Sequence, residues 1–335
     1  MFIPSLLLVL QLWSVRVEAQ GNSPTALAEQ LNLTTSTKFP FPTATASSVD
    51  TQALILSEWS PGKGRIQENP NNLAFVGDPY PDKPVDSEAT VTYPARSYSH
   101  ASGGGAQFYN LWNATDGLAF GSMLLSYEIA FEEGFNWVKG GKLPGLRGGL
   151  NSTGCSGGKL ASGMDCFSTR LMWRTNGNGE IYAYIPETDS LCDRKDVACN
   201  DDFGISLNRG SFVLTSGRWM RFVLYVQMNS PPRASNGKIQ LYYNDRLVLS
   251  QEGLQMRSTS TASINGLFFS TFFGGADETY ATPVTTFTYF RNIQLWGSTE
   301  PSSSTGASRM RSNTITPLSF FIPMFLALVP FVVLQ

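Results

Sequence analysis

Two short runs of alternating polar and apolar residues, separated by an Asn-Gly turn, constrain the fold of this chain more than any other feature. One side of the two runs collects apolar residues: Phe167, Leu171, Trp173, Ile181, Ala183 and Ile185. The other side collects mainly polar and phenolic residues: Ser168, Arg170, Met172, Arg174, Glu180, Tyr182 and Tyr184. Because successive side chains of a strand point to opposite faces, this alternation predicts a β-hairpin over 167–186.

The register of this hairpin depends on where the turn is centred. A turn centred near Gly177 predicts three cross-strand pairs: Arg170 with Tyr184, Met172 with Tyr182, and Arg174 with Glu180. The register is open by a residue or two, whereas the two faces follow from the period alone.

Positive charge is concentrated around the first run. The segment 139–174 carries one acidic residue, Asp165, and six basic ones: Lys139, Lys142, Arg147, Lys159, Arg170 and Arg174. In a chain of net charge −2 this concentration predicts a positive patch suited to an anionic ligand. The alternative interpretation is the solvated face of an ordinary antiparallel sheet.

The body of the chain reads as many short strands separated by Gly and Asn turns. Alternation is clear over 122–131 and over 218–229, where Arg221, Tyr225 and Gln227 are predicted to be exposed. Further strands are predicted at 238–243, 246–250, 264–273 and 285–296. This pattern favours an all-β fold, a jelly-roll sandwich of two antiparallel sheets, over 51–298. Residues 20–50, rich in Ser, Thr and Ala, are interpreted as a glycosylated stalk or an irregular lead-in.

Both ends of the chain resemble processing signals. Residues 1–19 have the short apolar run and the small-residue site of a secretory signal peptide. A small and polar linker, 299–317, precedes a hydrophobic tail, 318–335, in the order of a signal for a GPI lipid anchor attached at Ser304 or Gly306. A transmembrane helix is the alternative, although Pro323 and Pro330 interrupt it.

Secretion agrees with the acceptor sequons and the cysteines. The sequons predict glycosylation at Asn32, Asn113 and Asn151. The four cysteines allow three pairings, and short loops favour Cys155 with Cys166 and Cys192 with Cys199. Zinc is the alternative use of these thiols, but the spacing does not fit a finger and His100 is the single histidine.

Most hydrolytic sites are difficult to assemble from these residues. A serine triad would depend wholly on His100, and a lone histidine beside a glycine turn is more often structural than catalytic. A carboxylate pair drawn from Glu128, Glu132 and Glu133 is possible, but adjacent residues face opposite sides of a strand, which favours solvated charges at the rim. Calcium binding by the aspartates between 193 and 202 lacks a regular loop pattern, so we expect no metal and no cofactor.

The basic and phenolic residues suit a different reaction, the β-elimination of an acidic sugar chain. Removing the C5 proton of a 4-linked uronic acid requires a cation or hydrogen-bond donor on the neighbouring carboxylate. A lysine or tyrosine whose pKa is lowered by adjacent positive charge then takes the proton, and a phenol donates one to the leaving O4.

Five motifs, in order, carry a resemblance to a known family: KGGKLPGLRGG (139–149), FSTRLMWR (167–174), EIYAYIP (180–186), STFFGG (270–275) and YFRNIQLW (289–296). Together they resemble the family 14 polysaccharide lyases over about 95–296. The resemblance implies a β-jelly-roll enzyme that cleaves alginate or a related polyuronate.

The resemblance also implies the site. Its candidate catalytic residues are Lys142, Arg170, Tyr182 and Tyr184, and its candidate substrate-binding residues are Ser168, Lys139 and Arg174. We therefore predict a secreted, monomeric lyase with endo action on an anionic polysaccharide. It would bind no nucleic acid and would reach a membrane only through its lipid anchor. A non-catalytic carbohydrate-binding protein of the cell surface is the alternative hypothesis.

Overall fold

Two antiparallel β-sheets pack face to face in this protein. The structure, a computed structural model, describes residues 23–59, 61–81, 87–115, 117–151, 154–158 and 160–299. In these residues the first sheet contains β1 Thr35–Lys38, β2 Leu73–Val76, β3 Glu88–Tyr93, β5 Ser122–Phe131, β11 Trp219–Gln227, β12 Gly237–Tyr243, β13 Arg246–Leu254 and β15 Thr286–Ser298. The second contains β4 Ala106–Leu111, β6 Gly140–Gly148, β7 Phe167–Arg174, β8 Asn178–Tyr184, β9 Val197–Ala198, β10 Ile205–Val213 and β14 Ile264–Phe273. The predicted jelly-roll sandwich is confirmed.

The order of strands in the sheets places the hairpin at the centre of the second sheet. The first sheet has the order β13-β12-β11-β5-β15-β3-β2, with β1 also paired to β15. The second has the order β4-β14-β6-β7-β8-β10-β9. The described residues also include five short 3₁₀ helices and three α-helices: α1 Pro24–Gln30, α2 Ser48–Glu58 and α3 Asp189–Cys192. Strands β6, β7 and β8 are therefore neighbours, which brings the first three motifs together.

The apolar core lies between the two sheets, where the alternation predicts it. Leu125 and Ile129 of β5 and Leu171 and Trp173 of β7 are fully buried there. Full burial of an aliphatic or aromatic side chain of this size contributes about 1.5–3 kcal/mol to folding. The polar residues that alternate with them along β7 consequently point to the outer face of the second sheet.

The register of the central hairpin differs from the predicted one by two residues. Strands β7 and β8 pair Ser168 with Tyr184 and Arg170 with Tyr182. The turn is centred on Asn176 instead of Gly177. Both residues adopt a left-handed conformation, with φ of 61° at Asn176 and 75° at Gly177. A two-residue shift leaves every side chain on its predicted face.

Residues 23–50 are folded, contrary to the interpretation of 20–50 as a stalk or an irregular lead-in. The Ser47 hydroxyl accepts a hydrogen bond from the backbone of Asp50 and donates one to its carboxylate, which caps α2. Trp59, which follows α2, is 1% exposed and donates through its indole nitrogen to the carbonyl of Pro40. Its ring packs against Phe75 and closes one edge of the core.

The prediction that Tyr225 is exposed is wrong for a related reason. Helix α1 and Leu33 cover part of the outer face of the first sheet and form a second apolar cluster with it. Tyr225 is 1% exposed within this cluster, which also contains Val223 and Trp296. The covering segment lies almost 200 residues away in sequence, so the local alternation gave no signal of it.

A group of charged residues is buried elsewhere on the outer face of the first sheet. Arg291 forms ion pairs at 2.7 Å with both Asp78 and Glu128 and lies 3.6 Å from Glu88. Its guanidinium also stacks on the ring of Trp219, 4.1 Å away. Glu128 therefore lies on the sheet opposite the hairpin, which makes it a structural charge.

The predicted terminal signals lie outside the described residues. This applies to the signal peptide over 1–19 and to the anchor tail over 318–335. Within the described ranges, no helix combines the length and hydrophobicity needed to cross a bilayer. Asn32, Asn113 and Asn151 are all exposed, and their glycosylation stays a prediction.

Glu88 belongs to this group of buried charges, and its ionisation should affect the stability of the fold. Its side chain is 1% exposed, and its Oε2 has no hydrogen-bond partner. Burial raises the pKa of Glu88 from its usual 4.5 to about 8, against the opposing effect of Arg291. The folded protein thus holds a proton that the unfolded chain has released, and this contribution to stability is lost as pH rises from about 4.5 to about 8.

We expect Glu88→Gln to raise the melting temperature at pH 8 by about 2 °C or more, and by less at pH 5, because glutamine carries no charge to bury. Thermal unfolding followed by circular dichroism at both pH values measures this difference. Glu58→Gln, an exposed change on α2, is the matched control. An equal effect of Glu88→Gln at pH 5 and pH 8 would show that Glu88 does not titrate as described.

Candidate active site

A cleft of about 560 Å³ opens on the outer face of the second sheet. Side chains of β6, β7, β8 and β10 form its floor: Lys142, Arg170, Met172, Arg174, Tyr182, Tyr184, Ser206 and Arg209. Its walls come from segments around residues 99–100, 156–158, 198–204 and 274–280. Four lining side chains are lysine or arginine, and one, Asp277, is a carboxylate. This balance of charge favours an anionic ligand.

The predicted site residues share this face, but most are not exposed to bulk water. Arg170 is 2% exposed, Tyr182 is 7% exposed and Tyr184 is 3% exposed. The loop closed by the disulfide Cys155–Cys166 packs over them and makes a small cluster with Met172. The face that the alternation predicts is therefore a covered cleft.

Glycines and a proline in the KGGKLPGLRGG motif place Lys142 at the floor of this cleft. A Cβ atom on Gly141 would lie 2.0 Å from the ring of Trp173, so only glycine fits between β7 and β14. Pro144 lacks a backbone N–H, and the pairing of β6 with β7 shifts register there. Lys142, between these two irregularities, pairs with Met172 and projects to the outer face.

The amine of Lys142 is enclosed by apolar and cationic groups. Its Nζ donates to Sδ of Met172 at 2.8 Å and lies 4.0 Å from the centre of the Tyr182 ring. Burial lowers the pKa of Lys142 well below its usual 10.5, and the charges of Arg170 and Arg174 lower it further. The site thus favours the neutral amine, which can accept a proton.

Arg170 is a buried cation with no carboxylate partner. Its Nη1 donates to the hydroxyl of Ser270 at 3.2 Å, and its guanidinium lies 4.4 Å from the centre of the Phe268 ring. Its Nε is buried and unpaired, and no carboxylate in the described part of the chain forms an ion pair with it. A buried charge left in this state is costly unless a ligand supplies the counter-charge.

Each of the two tyrosines accepts a hydrogen bond from a glycine amide of a wall segment. The amide of Gly204 donates to the phenol of Tyr182 at 3.0 Å, and that of Gly158 donates to the phenol of Tyr184 at 3.2 Å. Each phenol oxygen thus has a fixed hydrogen-bond partner on a wall segment, and Tyr182 also forms a hydrogen bond with Tyr184.

The expectation that neighbouring positive charge lowers a tyrosine pKa fails for Tyr182. Burial raises the pKa of this phenol, the proximity of Tyr184 raises it further, and Arg170 opposes the shift only in part. Burial outweighs the cation because the ionised phenol would lose its hydration in the cleft.

Arg174 lines the cleft as predicted, but its charge is matched by Glu180. Arg174 donates to Oε1 of Glu180 through Nε at 2.9 Å and Nη2 at 2.5 Å. Arg209 donates through Nε to Oε2 of the same carboxylate at 2.7 Å. The alternation placed Arg174 and Glu180 on this face, whereas Arg209 was missed because β10 is irregular between Leu207 and Phe212.

Two predicted substrate-binding residues lie outside the cleft. Ser168 is 1% exposed, and its hydroxyl donates to the carbonyl of Cys155 at 2.7 Å, so it holds the disulfide loop instead of facing a ligand. Lys139 is exposed beyond the rim, where its Nζ donates to the hydroxyl of Thr279 at 2.6 Å. Its ammonium also lies 5.4 Å from the centre of the Tyr280 ring, which does line the cleft.

His100 and Gln107 line the cleft, although the sequence gave no reason to place them there. His100 lies 3.7 Å from a carboxylate oxygen of Glu68 and packs edge-on against Phe272. Gln107 accepts a hydrogen bond from Ser270 at 2.9 Å and so extends the chain of contacts from Arg170. Both arrive from strands or turns distant in sequence, and no local motif marks them.

The four cysteines pair as the short-loop argument favours, Cys155 with Cys166 and Cys192 with Cys199. Within the described residues, one group has metal-ligand proximity: Glu187 with Cys192 and Cys199. The sulfurs of these two cysteines are joined in a disulfide and are not available as thiolate ligands.

Comparison with known proteins agrees with this geometry. The sequence profile described as Polysaccharide lyase 14 matches residues 83–293. The PL-14 alginate lyase from Aplysia kurodai is 32% identical, with a TM-score of 0.64 over 77% of this chain and 100% of that chain. No curated protein sequence matches the chain.

Two more distant structures support the fold alone. Alginate lyase Aly36B is 19% identical, with a TM-score of 0.59 over 78% of this chain and 96% of that chain. Alginate lyase vAL-1 from Chlorella virus is 21% identical, with a TM-score of 0.50 over 63% of this chain and 85% of that chain. The profile match spans more than half of the described residues and includes every strand that forms the floor of the cleft, and the chain therefore belongs to the family 14 polysaccharide lyases.

Proposed function

We propose that this lyase cleaves a 4-linked polyuronate, with alginate as the first candidate and glucuronan as the second, by β-elimination within the chain. The observation that carries the proposal is that one cleft holds both Lys142, whose amine has a lowered pKa, and Arg170, whose guanidinium has no carboxylate partner in the described residues. β-Elimination needs this combination: a base for a weakly acidic proton, and a cation for the charge that develops when the proton leaves.

Arg170 would bind the carboxylate of the uronate that is cleaved. Loss of the C5 proton leaves charge that spreads into this carboxylate, and a buried guanidinium stabilises it more strongly than water does. The uronate would also supply the counter-charge that the described protein lacks around Arg170. This proposal is supported by the unpaired Nε of Arg170 and by its position on the floor of the cleft.

Lys142 would act as the base and a phenol as the acid. The neutral amine removes the C5 proton, the C–H electron pair forms the C4–C5 double bond, and the C4–O4 bond breaks. A phenol of Tyr182 or Tyr184 donates its hydrogen to the departing O4. The raised pKa of Tyr182 supports this order, because it keeps that phenol protonated at neutral pH.

The choice of alginate and the preference for a polymer are supported by different observations. The relative from Aplysia kurodai, at 32% identity, is an alginate lyase, which favours alginate. Cationic side chains are spread along the cleft from Arg170 to Arg209, which favours a polymer with repeated carboxylates over a single sugar acid.

We also propose that the enzyme works outside the cell, held at the surface by a GPI anchor. The signal-like start, the tail after Ser304 and two disulfides support this location. A phosphatidylinositol-specific phospholipase should release the protein from intact cells into the medium. Retention after treatment, with a known GPI-anchored protein released in parallel, would refute the anchor.

The activity is tested with purified protein and a panel of alginate, glucuronan and other polyuronates. We expect new ultraviolet absorbance from the unsaturated product, together with a fast loss of viscosity if cleavage occurs within the chain. Lys142→Ala should lower kcat about a hundredfold or more, because no other neutral amine replaces the base. Tyr184→Phe should also lower kcat more than it weakens binding if that phenol is the acid.

The matched control is Tyr280→Phe, which removes a phenol from the rim without touching the floor of the cleft. If the protein binds the polyuronates of the panel but produces no new absorbance, the proposal that it cleaves this class of substrate is wrong. A Tyr184→Phe variant with an unchanged rate would leave Tyr182 as the acid.

The rate should also depend on pH in a defined direction. As pH falls through the lowered pKa of Lys142 the amine gains a proton, so kcat/KM should decrease on the acid side. As pH rises, ionisation of the donor phenol should lower it again, at a pH above the usual 10 for tyrosine if the donor is Tyr182. Initial rates from pH 5 to 11 measure both limbs, and a rate that keeps rising as Lys142 is protonated would exclude it as the base.

A further inference from the structure

A second group of cations occupies the β10 side of the cleft. The side chain of Glu180 is fully buried there between two arginines, Arg174 on β7 and Arg209 on β10. Ser206 adds a hydrogen bond from its hydroxyl to Oε2 of Glu180 at 2.7 Å. Both oxygens of the carboxylate therefore accept two hydrogen bonds each.

This group has more positive charge than its internal partner can neutralise. Two guanidinium groups face one carboxylate, which leaves one net positive charge at this end of the cleft floor. The side chain of Glu180 is 0% exposed, whereas those of Arg174 and Arg209 are 20% and 53% exposed. In the described part of the chain, neither Nη1 donates a hydrogen bond, so both remain available to a ligand.

The position of this group separates it from the reacting centre. Arg170 and Arg174 lie four residues apart on the same face of β7, a distance of about 13 Å along an extended strand. Lys142 pairs with Met172, between them. Ser270 holds the guanidinium of Arg170 toward β14, and Glu180 holds that of Arg174 toward β8, so the two groups are directed apart. A ligand that satisfies both would therefore carry two acidic groups.

We propose that Arg174 and Arg209 form a second carboxylate subsite, which binds a uronate residue other than the one that is cleaved. Glu180 is a positioning residue for it, because its oxygens fix the direction of both guanidinium groups. The inference rests on the proposed function for its substrate class, and it adds that recognition requires an acidic sugar on the β10 side of the scissile bond. A polymer in which that residue is neutral would bind less tightly.

The surrounding charges agree with this assignment. Asp277, the one carboxylate that lines the cleft among the described residues, accepts hydrogen bonds from the backbone and hydroxyl of Thr279 on the segment that follows β14. Strand β14 lies on the far side of β6 from β10, so Asp277 does not neutralise Arg209. Burial opposes the ionisation of Glu180, but Arg174, Ser206 and Arg209 outweigh that effect, so the pKa of Glu180 is lowered.

The test compares Arg209→Gln with Arg246→Gln, an exposed arginine on β13 of the other sheet. On long alginate we expect Arg209→Gln to raise KM about fivefold, the loss typical of one partly exposed charge contact, with a smaller change in kcat. The increase should be smaller on the shortest oligosaccharide that the enzyme cleaves, and added salt should raise KM less steeply than in the wild type. Arg209→Lys, which keeps the charge without the fork, should restore part of the affinity.

A binding measurement makes the test independent of turnover. Isothermal titration of a long alginate oligosaccharide into Lys142→Ala and into Lys142→Ala/Arg209→Gln should show weaker binding by the double variant. Equal affinity in these two proteins, or equal KM in Arg209→Gln and Arg246→Gln, would overturn the subsite. If the wild type binds but releases no unsaturated product, the proposed reaction fails, and the comparison of affinities still decides the subsite.

Discussion

The structure of the active site depends on cations that are buried without a carboxylate from the protein. Arg170 is almost completely removed from water and is held by a serine hydroxyl and an aromatic ring, neither of which carries charge. Lys142 meets the same constraint in another way, since its amine can lose a proton whereas a guanidinium cannot. One environment therefore holds a fixed positive charge beside an amine whose pKa is lowered.

The sheet can hold these buried cations because one of its faces packs in the apolar core and the other forms the cleft. Leu171 and Trp173 anchor β7 in the core, and the intervening side chains have no freedom to leave the cleft face. Stability and chemistry are thus carried by alternate residues of the same strand. Strand β8 shows the same alternation: Ile181 lies in the core, and the carboxylate of its neighbour Glu180 orients two arginines.

The sequence was sufficient to predict the sandwich, the hairpin and the membership of Lys142, Arg170, Tyr182 and Tyr184 in one face. A period of two determines which side of a sheet a residue occupies, and it survives even an error of two residues in the register. Ser168 and Lys139, predicted to bind substrate, lie outside the cleft. Whether a side chain on the correct face reaches a ligand depends on the loops that cover it, and Ser168 is occupied by such a loop.

Long-range packing accounts for the other differences. Tyr225 alternates as an exposed residue, but a helix from the N-terminus covers it. His100, Gln107 and Arg209 enter the cleft from separate parts of the chain, and no local pattern in a single sequence reports such encounters. Turn geometry is a further source of error, because the left-handed conformation of Asn176 moved the centre of the hairpin turn by one position.

The amide of Gly158 links the chemistry of the enzyme to the redox state of its surroundings. This glycine lies inside the loop closed by Cys155 and Cys166, and its N–H orients the phenol of Tyr184. Opening the disulfide would release the loop that carries this donor. In the proposed mechanism Tyr184 is a candidate proton donor, so reducing conditions would lower the activity through this loop.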